Sequence, residues 1–311
     1  MKIFVTGGTG FVGREIVKKL HGVGHSIRIL ARNPESIQVI EEFQRYGVEI
    51  QPGTLFDADA LQNGVAGMNA VIHLVGIISE IGENTFEAVH TQGTINLITA
   101  VQQIGIERFV HMSALGTRAD SKSRYHQSKW LGEEAVRQSD LDYTILRPSL
   151  IFGAHDQFSM LFSRIIRFSP VVPILADETA HFQPISVEDV ATAFACAVVE
   201  PRSIGQIYDL CGPEELTLEE IVNEICAAMG RKRLKLRIPF SLSNRLAAAL
   251  EFLFPRLFRK APPLNRDQLV MLQENNVGNP APANQMFNLR PIRFRDGIRH
   301  ALRCGAKDAD F

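Results

Sequence analysis

Hydrophobic residues in this chain fall in short clustered runs, separated by longer stretches in which apolar positions recur every three or four residues. The first run, Lys2 to Thr6, is β-branched and aromatic. Glycines then cluster from Gly7 to Gly13, and Arg14 to Leu20 follows at helical spacing. Further runs at 26–31, 48–51, 70–75, 108–112 and 143–146 predict five more strands. Helices are expected between them: Pro34 through Tyr46, a segment including Leu61 to Val65 that stops at Gly67, Thr85 to Ile104 with Gly105 as its stop, and Ser123 to Gln138. Strands alternating with helices at this pace predict an α/β fold, a doubly wound parallel sheet covered on both faces.

The rhythm changes beyond Phe152. Residues 157–169 read as helical, Val171 to Ile174 as a Pro-broken apolar stretch, Val187 to Val199 as a helix and Ile207 to Leu210 as a strand. Thr217 with Glu220 three residues on forms a capping box for another helix. From Arg237 onward the chain is Pro-rich and reads as less regular.

The glycine cluster sits between a strand and a helix, the context a dinucleotide fingerprint needs. It fits G-x-G-x-x-G from Gly8 and G-x-x-G-x-x-G from Gly7. Glycine admits close approach of a pyrophosphate, and the helix that begins near Phe11 offers free N–H groups and its positive dipole end. The expected division is a Rossmann domain over residues 1–155 and a smaller, interleaved C-terminal α+β part over 156–311, with 183–212 returning to the first. In NAD enzymes the second strand usually ends in Asp or Glu, which binds the ribose 2′-hydroxyl. Here that place reads Ala31-Arg32-Asn33, and the first acid after it is Glu35. A guanidinium suits a 2′-phosphate, and Arg14 is a second cation within reach. NADP(H) is therefore preferred, with NAD(H) possible.

Tyr125 and Lys129 stand one helical turn apart. A free tyrosine ionises near pH 10, so it serves as an acid–base catalyst best beside a cation, which Lys129 would supply. Ser113 ends the preceding strand twelve residues before Tyr125, where its hydroxyl could hold a substrate carbonyl. Tyr125 would then exchange a proton with the substrate oxygen as hydride moves.

The turn from Thr6 to Gly13, Ser113, the Tyr125/Lys129 pair and Leu146-Arg147-Pro148-Ser149 together resemble a short-chain dehydrogenase/reductase of the extended or atypical branch. The segments 183–191 and 212–217 extend the resemblance to about residue 230. Within the branch the chain is similar to the group containing the NADPH-binding accessory subunit of respiratory complex I. The resemblance implies cofactor contacts at Gly7, Thr9, Gly10, Phe11, Val12, Gly13 and Arg14. It implies others at Arg32, Asn33 and Leu55, at the strand end Leu74-Val75-Gly76, at Lys129, and at Pro148 and Ile151. Catalytic roles fall to Ser113, Tyr125 and Lys129. Two positions depart from the pattern: Thr54 replaces an Asp near the adenine, and His90 replaces an Asn of the proton relay.

With 45% hydrophobic residues the chain can bury a sizeable core, and a net charge of −1 gives no pull toward nucleic acid. The charge is unevenly spread. Residues 231–260 hold nine Lys or Arg against the single acid Glu251, a local +8 that leaves −9 elsewhere. Leu242, Leu246, Ala249, Leu253 and Leu257 recur there at near-helical spacing, so this segment is a candidate contact with a membrane surface or a larger complex. Four cysteines without C-x-x-C or Cys/His spacing read as free thiols of a reducing compartment, and the fingerprint starts at residue 2. A cytoplasmic protein is expected, with no metal site; His73 and His111 are expected to be satisfied core residues. Three functions stay open: an NADP(H)-dependent oxidoreductase acting on a carbonyl- or quinone-type small molecule, a protein that binds NADPH for structure or redox sensing within a larger complex, and, last, a sugar-nucleotide epimerase or dehydratase.

Overall fold

A computed structural model describes residues 1–33, 37–258 and 260–307. Its organising element is a seven-stranded sheet in which every pairing is parallel. The strands are β1 (Lys2–Thr6), β2 (Ser26–Ala31), β3 (Glu49–Pro52), β4 (Ala70–His73), β5 (Arg108–Met112), β6 (Asp142–Pro148) and β7 (Gln206–Leu210). Their spatial order is β7-β6-β5-β4-β1-β2-β3. The order reverses between β1 and β4, so a crevice opens beyond the carboxyl ends of those two strands, where doubly wound folds bind ligands.

Helices α1 (Phe11–Gly22), α2 (Ile37–Arg45), α3 (Ala58–Val65), α4 (Gly93–Ile104) and α5 (Arg124–Arg137) follow the strands in turn. The expected start of α2 at Pro34 lies outside the described residues. Local chemistry sets several of the ends. Asp57 accepts from the Ala60 N–H to begin α3, Ser123 accepts from the His126 N–H to begin α5, and Gly105 ends α4 in the left-handed conformation. The helix read from Thr85 is not uniform: Glu87–Gln92 is π-helical before α4 begins. Two apolar cores flank the sheet. Ile16, Val17 and Leu20 of α1 pack on one face, and Leu61, Leu97 and Val101 of α3 and α4 on the other.

Beyond β6 come α6 (Gln157–Phe168), α7 (Val187–Ala197), β7 and α8 (Leu218–Ala228). The Thr217/Glu220 capping box closes as expected. Both β7 and α7 join the first part of the molecule: β7 pairs with β6, and Val190 and Phe194 of α7 lie in the core with α1. The stretch Val171–Ile174 is a strand paired with Leu234–Arg237. A third core, holding Phe162, Ile166, Ile221, Ile225, Phe294 and Ile298, builds the smaller part. The tail is more regular than its prolines suggest: it forms α9 (Phe240–Phe258), α10 (Arg266–Met271), α11 (Ala281–Phe287) and α12 (Phe294–Lys307). Pro280 stands just ahead of α11 and Pro282 in its first turn, where no N–H is needed, whereas Pro255 falls in the interior of α9.

Candidate active site

Strand register sets the site. Thr6 pairs with His73, His73 with His111, and Met112 with Leu146, so Gly7, Leu74 and Ser113 leave the sheet at one edge, beside Arg147 near the end of β6. The glycines are there for close approach. A Cβ on Gly13 would stand 2.1 Å from the Gly7 carbonyl oxygen, and one on Gly7, whose φ is +76°, would press on the Leu74–Val75 peptide at 3.1 Å. The turn therefore holds β1, α1 and the end of β4 together. Helix α1 begins at Gly10 with no side-chain cap and no acid in its first turn. Its first N–H groups and positive dipole end fit a pyrophosphate.

The other proposed cofactor residues are placed as follows. Arg32 and Asn33 lie exposed past the end of β2. Arg14 pairs with Glu42 of α2 at 2.6 Å, so in this state its guanidinium is held by protein. Leu55 is buried in the core against Gly93, with its carbonyl accepting from the Asn96 side chain at 2.9 Å. Pro148 ends β6 with its carbonyl accepting from the Leu115 N–H, and Ile151 pairs with Ile185 next to the crevice.

Lys129 is almost fully buried, and its Nζ donates to the Met112 carbonyl at 2.9 Å. It lies 3.2 Å from the point where a Cβ on Gly76 would stand, so the ammonium spans the gap between the ends of β4 and β5. Burial pulls its pKa down to about 8, against the opposing pull of Glu133. Glu133 is itself fully buried between Arg137 at 2.7 Å and Arg147 at 2.5 Å. The Ser113 hydroxyl donates to Thr117 Oγ1 at 3.3 Å.

Tyr125 sits between Phe86 and His90, with ring centroids 5.9 and 5.2 Å away in edge-on contacts. Its phenol is pushed up to about 12, first by burial and then by the negative charge of Asp267. The expectation that Lys129 would lower it is not met: burial and Asp267 act on the phenol, and both raise it. Asp267, far along the chain on α10, caps α5 from outside. Its carboxylate accepts from the Ser123 hydroxyl and the Arg124 N–H, both at 2.7 Å, and from the Tyr125 N–H at 3.1 Å. Asn265 of the same turn donates to the Ile78 carbonyl at 2.8 Å and so ties α10 to the loop after β4.

His90 holds that loop from the other side. The Ile77 N–H can only donate, so His90 Nε2 accepts from it at 3.0 Å and the ring proton sits on Nδ1. Nδ1–H then donates to Ser128 Oγ at 2.8 Å, and that hydroxyl donates to the Tyr125 carbonyl. Burial and the Lys129 charge hold the imidazole neutral, with a pKa of about 2. His90 is thus a clamp between the loop and α5, with no titratable role near neutral pH. His73 is satisfied as expected, against Thr6 and Thr94 at 2.6 and 3.1 Å. His111 is not: both ring nitrogens are buried without a partner.

Known proteins match the chain over most of its length. Residues 7–159 match the NAD(P)H-binding family, and residues 118–249 match the RmlD substrate binding domain. The ceramide reductase of Caulobacter vibrioides is 31% identical over 239 residues, covering 76% of this chain and 73% of that one. The chain belongs to the NAD(P)-binding Rossmann family of short-chain dehydrogenase/reductase-like proteins. A second relative is the mitochondrial NADH dehydrogenase [ubiquinone] 1 alpha subcomplex subunit 9 of Arabidopsis thaliana, 29% identical over 93% of this chain and 68% of that one. In fold the chain also resembles the UDP-glucuronic acid 4-epimerase from Bacillus cereus, with a TM-score of 0.73 at 17% identity and 99% coverage of both chains. Reductase, complex subunit and epimerase share one scaffold, so the chemistry must be argued from the site.

Proposed function

We propose that this protein is an NADP(H)-dependent oxidoreductase that reduces a carbonyl- or quinone-type small molecule in the cytoplasm. The observation that carries this reading is the placement of Lys129 and Tyr125 on one face of α5 at the carboxyl edge of the sheet, beside the glycine turn. The cofactor would supply and accept hydride. The N-terminus of α1 would hold its pyrophosphate, Arg32 its 2′-phosphate, and Lys129 its sugar hydroxyls. Tyr125 donates a proton to the substrate oxygen, with Ser113 holding that oxygen. A phenol with a pKa of about 12 remains protonated at neutral pH, which suits it to give a proton during reduction. Oxidation would need the phenolate, a minor species there.

A second reading, that the protein binds NADPH within a larger complex without turnover, draws on the same Tyr125 environment and on the likeness to the subunit from Arabidopsis thaliana. A screen of carbonyls and quinones with NADPH separates the two. Reduction by wild type that is lost in Tyr125→Phe supports the first. Tight NADPH binding without reduction of any substrate supports the second.

A further inference from the structure

Helix α9 is turned inside out. A helix that only covers a cleft directs its apolar stripe inward. Here the residues buried against the protein are Ser243 and Ala247, and Glu251 on the same side pairs with Arg266 at 2.7 Å. The large apolar residues face away from the protein. Leu242, Leu246, Leu253 and Leu257 are between 50% and 69% exposed, and Phe252 stands beside them.

The strip does not end with the helix. The strand Leu234–Arg237 runs into α9 through Ile238 and Pro239, and its Leu234 and Leu236 are also exposed. Phe168, 83% exposed, ends α6 beside that strand, and Arg231 and Arg233 donate to the α6 carbonyls of Arg167 and Ile166. Cations flank the apolar residues. Arg245 and Arg256 lie along the stripe, and the Arg256 guanidinium sits 3.6 Å over the Phe252 ring. The one acid of the segment, Glu251, points inward to Arg266.

We propose that this face docks on an anionic lipid bilayer, with α9 lying in the plane of the interface. Large apolar residues bordered by arginines and lysines are what the headgroup–acyl boundary accommodates, since the long basic side chains reach back to the phosphates. No helix among the described residues is long and apolar enough to cross a membrane, so the contact is with the surface. A second copy is a poor occupant, because two-fold pairing would set one +8 segment against another. The inner side of α9 also walls a cavity of about 470 Å³, shared with Phe86, Arg124 and Asp267, so docking would place that cavity behind the membrane-facing helix.

The test is co-sedimentation of the full chain with vesicles of phosphatidylcholine alone, or of phosphatidylcholine and phosphatidylglycerol in equal parts, at low and high salt. Binding is expected to the anionic vesicles only, weakening with salt. Each surface cation near an anionic leaflet is worth about five-fold in affinity, so Arg245→Gln with Arg256→Gln should weaken binding by about thirty-fold. Leu246→Glu with Leu253→Glu should abolish it. Unchanged NADPH binding and melting temperature show that both variants are folded. Failure of wild type to sediment with anionic vesicles at low salt overturns the proposal, as does equal, salt-independent binding to neutral ones. Self-association of wild type that the leucine variant reverses, without vesicle binding, would make the face a protein interface instead and overturns it as well.

Discussion

Asp267 holds Tyr125 in place through the backbone: its carboxylate accepts the Tyr125 N–H at 3.1 Å while its charge helps raise the phenol's pKa. The residue that fixes the start of α5 therefore also adds to the effect of burial on the proposed acid. Asp267→Asn should lose a charged N-cap and destabilise the fold by about 1 kcal/mol, read as a lower melting temperature. It should also shift the basic limb of the pH–rate profile for reduction to lower pH. An unshifted limb would separate Asp267 from the ionisation of Tyr125.

Lys129 is a folding cost that the site retains. Its pKa falls from 10.5 to about 8 on burial, so at pH 7 the charged form is penalised in the folded state and not in the unfolded one. Between about pH 8 and 10.5 the unfolded chain binds more protons here, and the penalty fades as pH rises. Lys129→Met should therefore be more stable than wild type at pH 7, by roughly 1–2 kcal/mol after loss of the bond to Met112. The advantage should shrink toward pH 10. Denaturant melts across that range check it, and a less stable Met variant at pH 7 would contradict the account.

Arg32 should carry the preference for NADPH, because Arg14 is held by Glu42. Arg32→Ala should lose about ten- to hundred-fold in NADPH affinity with little change for NADH. Arg14→Ala should lose less. Fluorescence titration of both cofactors decides it, and equal binding of the two by wild type would remove the argument.

What the sequence made legible was what local chemistry sets. The runs at Lys2–Thr6 and Arg108–Met112, the Thr217/Glu220 box and the Gly105 stop depend on residues within a few positions, and all formed as read. The π-helical turn at Glu87–Gln92 was hidden because its residues keep an ordinary helical pattern. Asp267 was missed for a different reason: it lies 142 residues from Tyr125, and no spacing announces a cap supplied from so far away. The phenol's raised pKa is not legible in the sequence on the same account, since both burial and the Asp267 charge come from tertiary packing. For His90 the sequence marked the position, but only the Ile77 N–H reveals that it is a clamp. The helices beyond Arg237 are masked in the sequence by the prolines among them.

The central claim is that Tyr125 supplies the proton while the surrounding residues hold the cofactor. The direct measurement is NADPH oxidation in a single turnover with a reducible carbonyl or quinone, in wild type and Tyr125→Phe, beside NADPH titration of both. The account predicts near-equal NADPH affinity and a rate at least about a hundred-fold lower in the variant. Reduction that proceeds undiminished in Tyr125→Phe would contradict it.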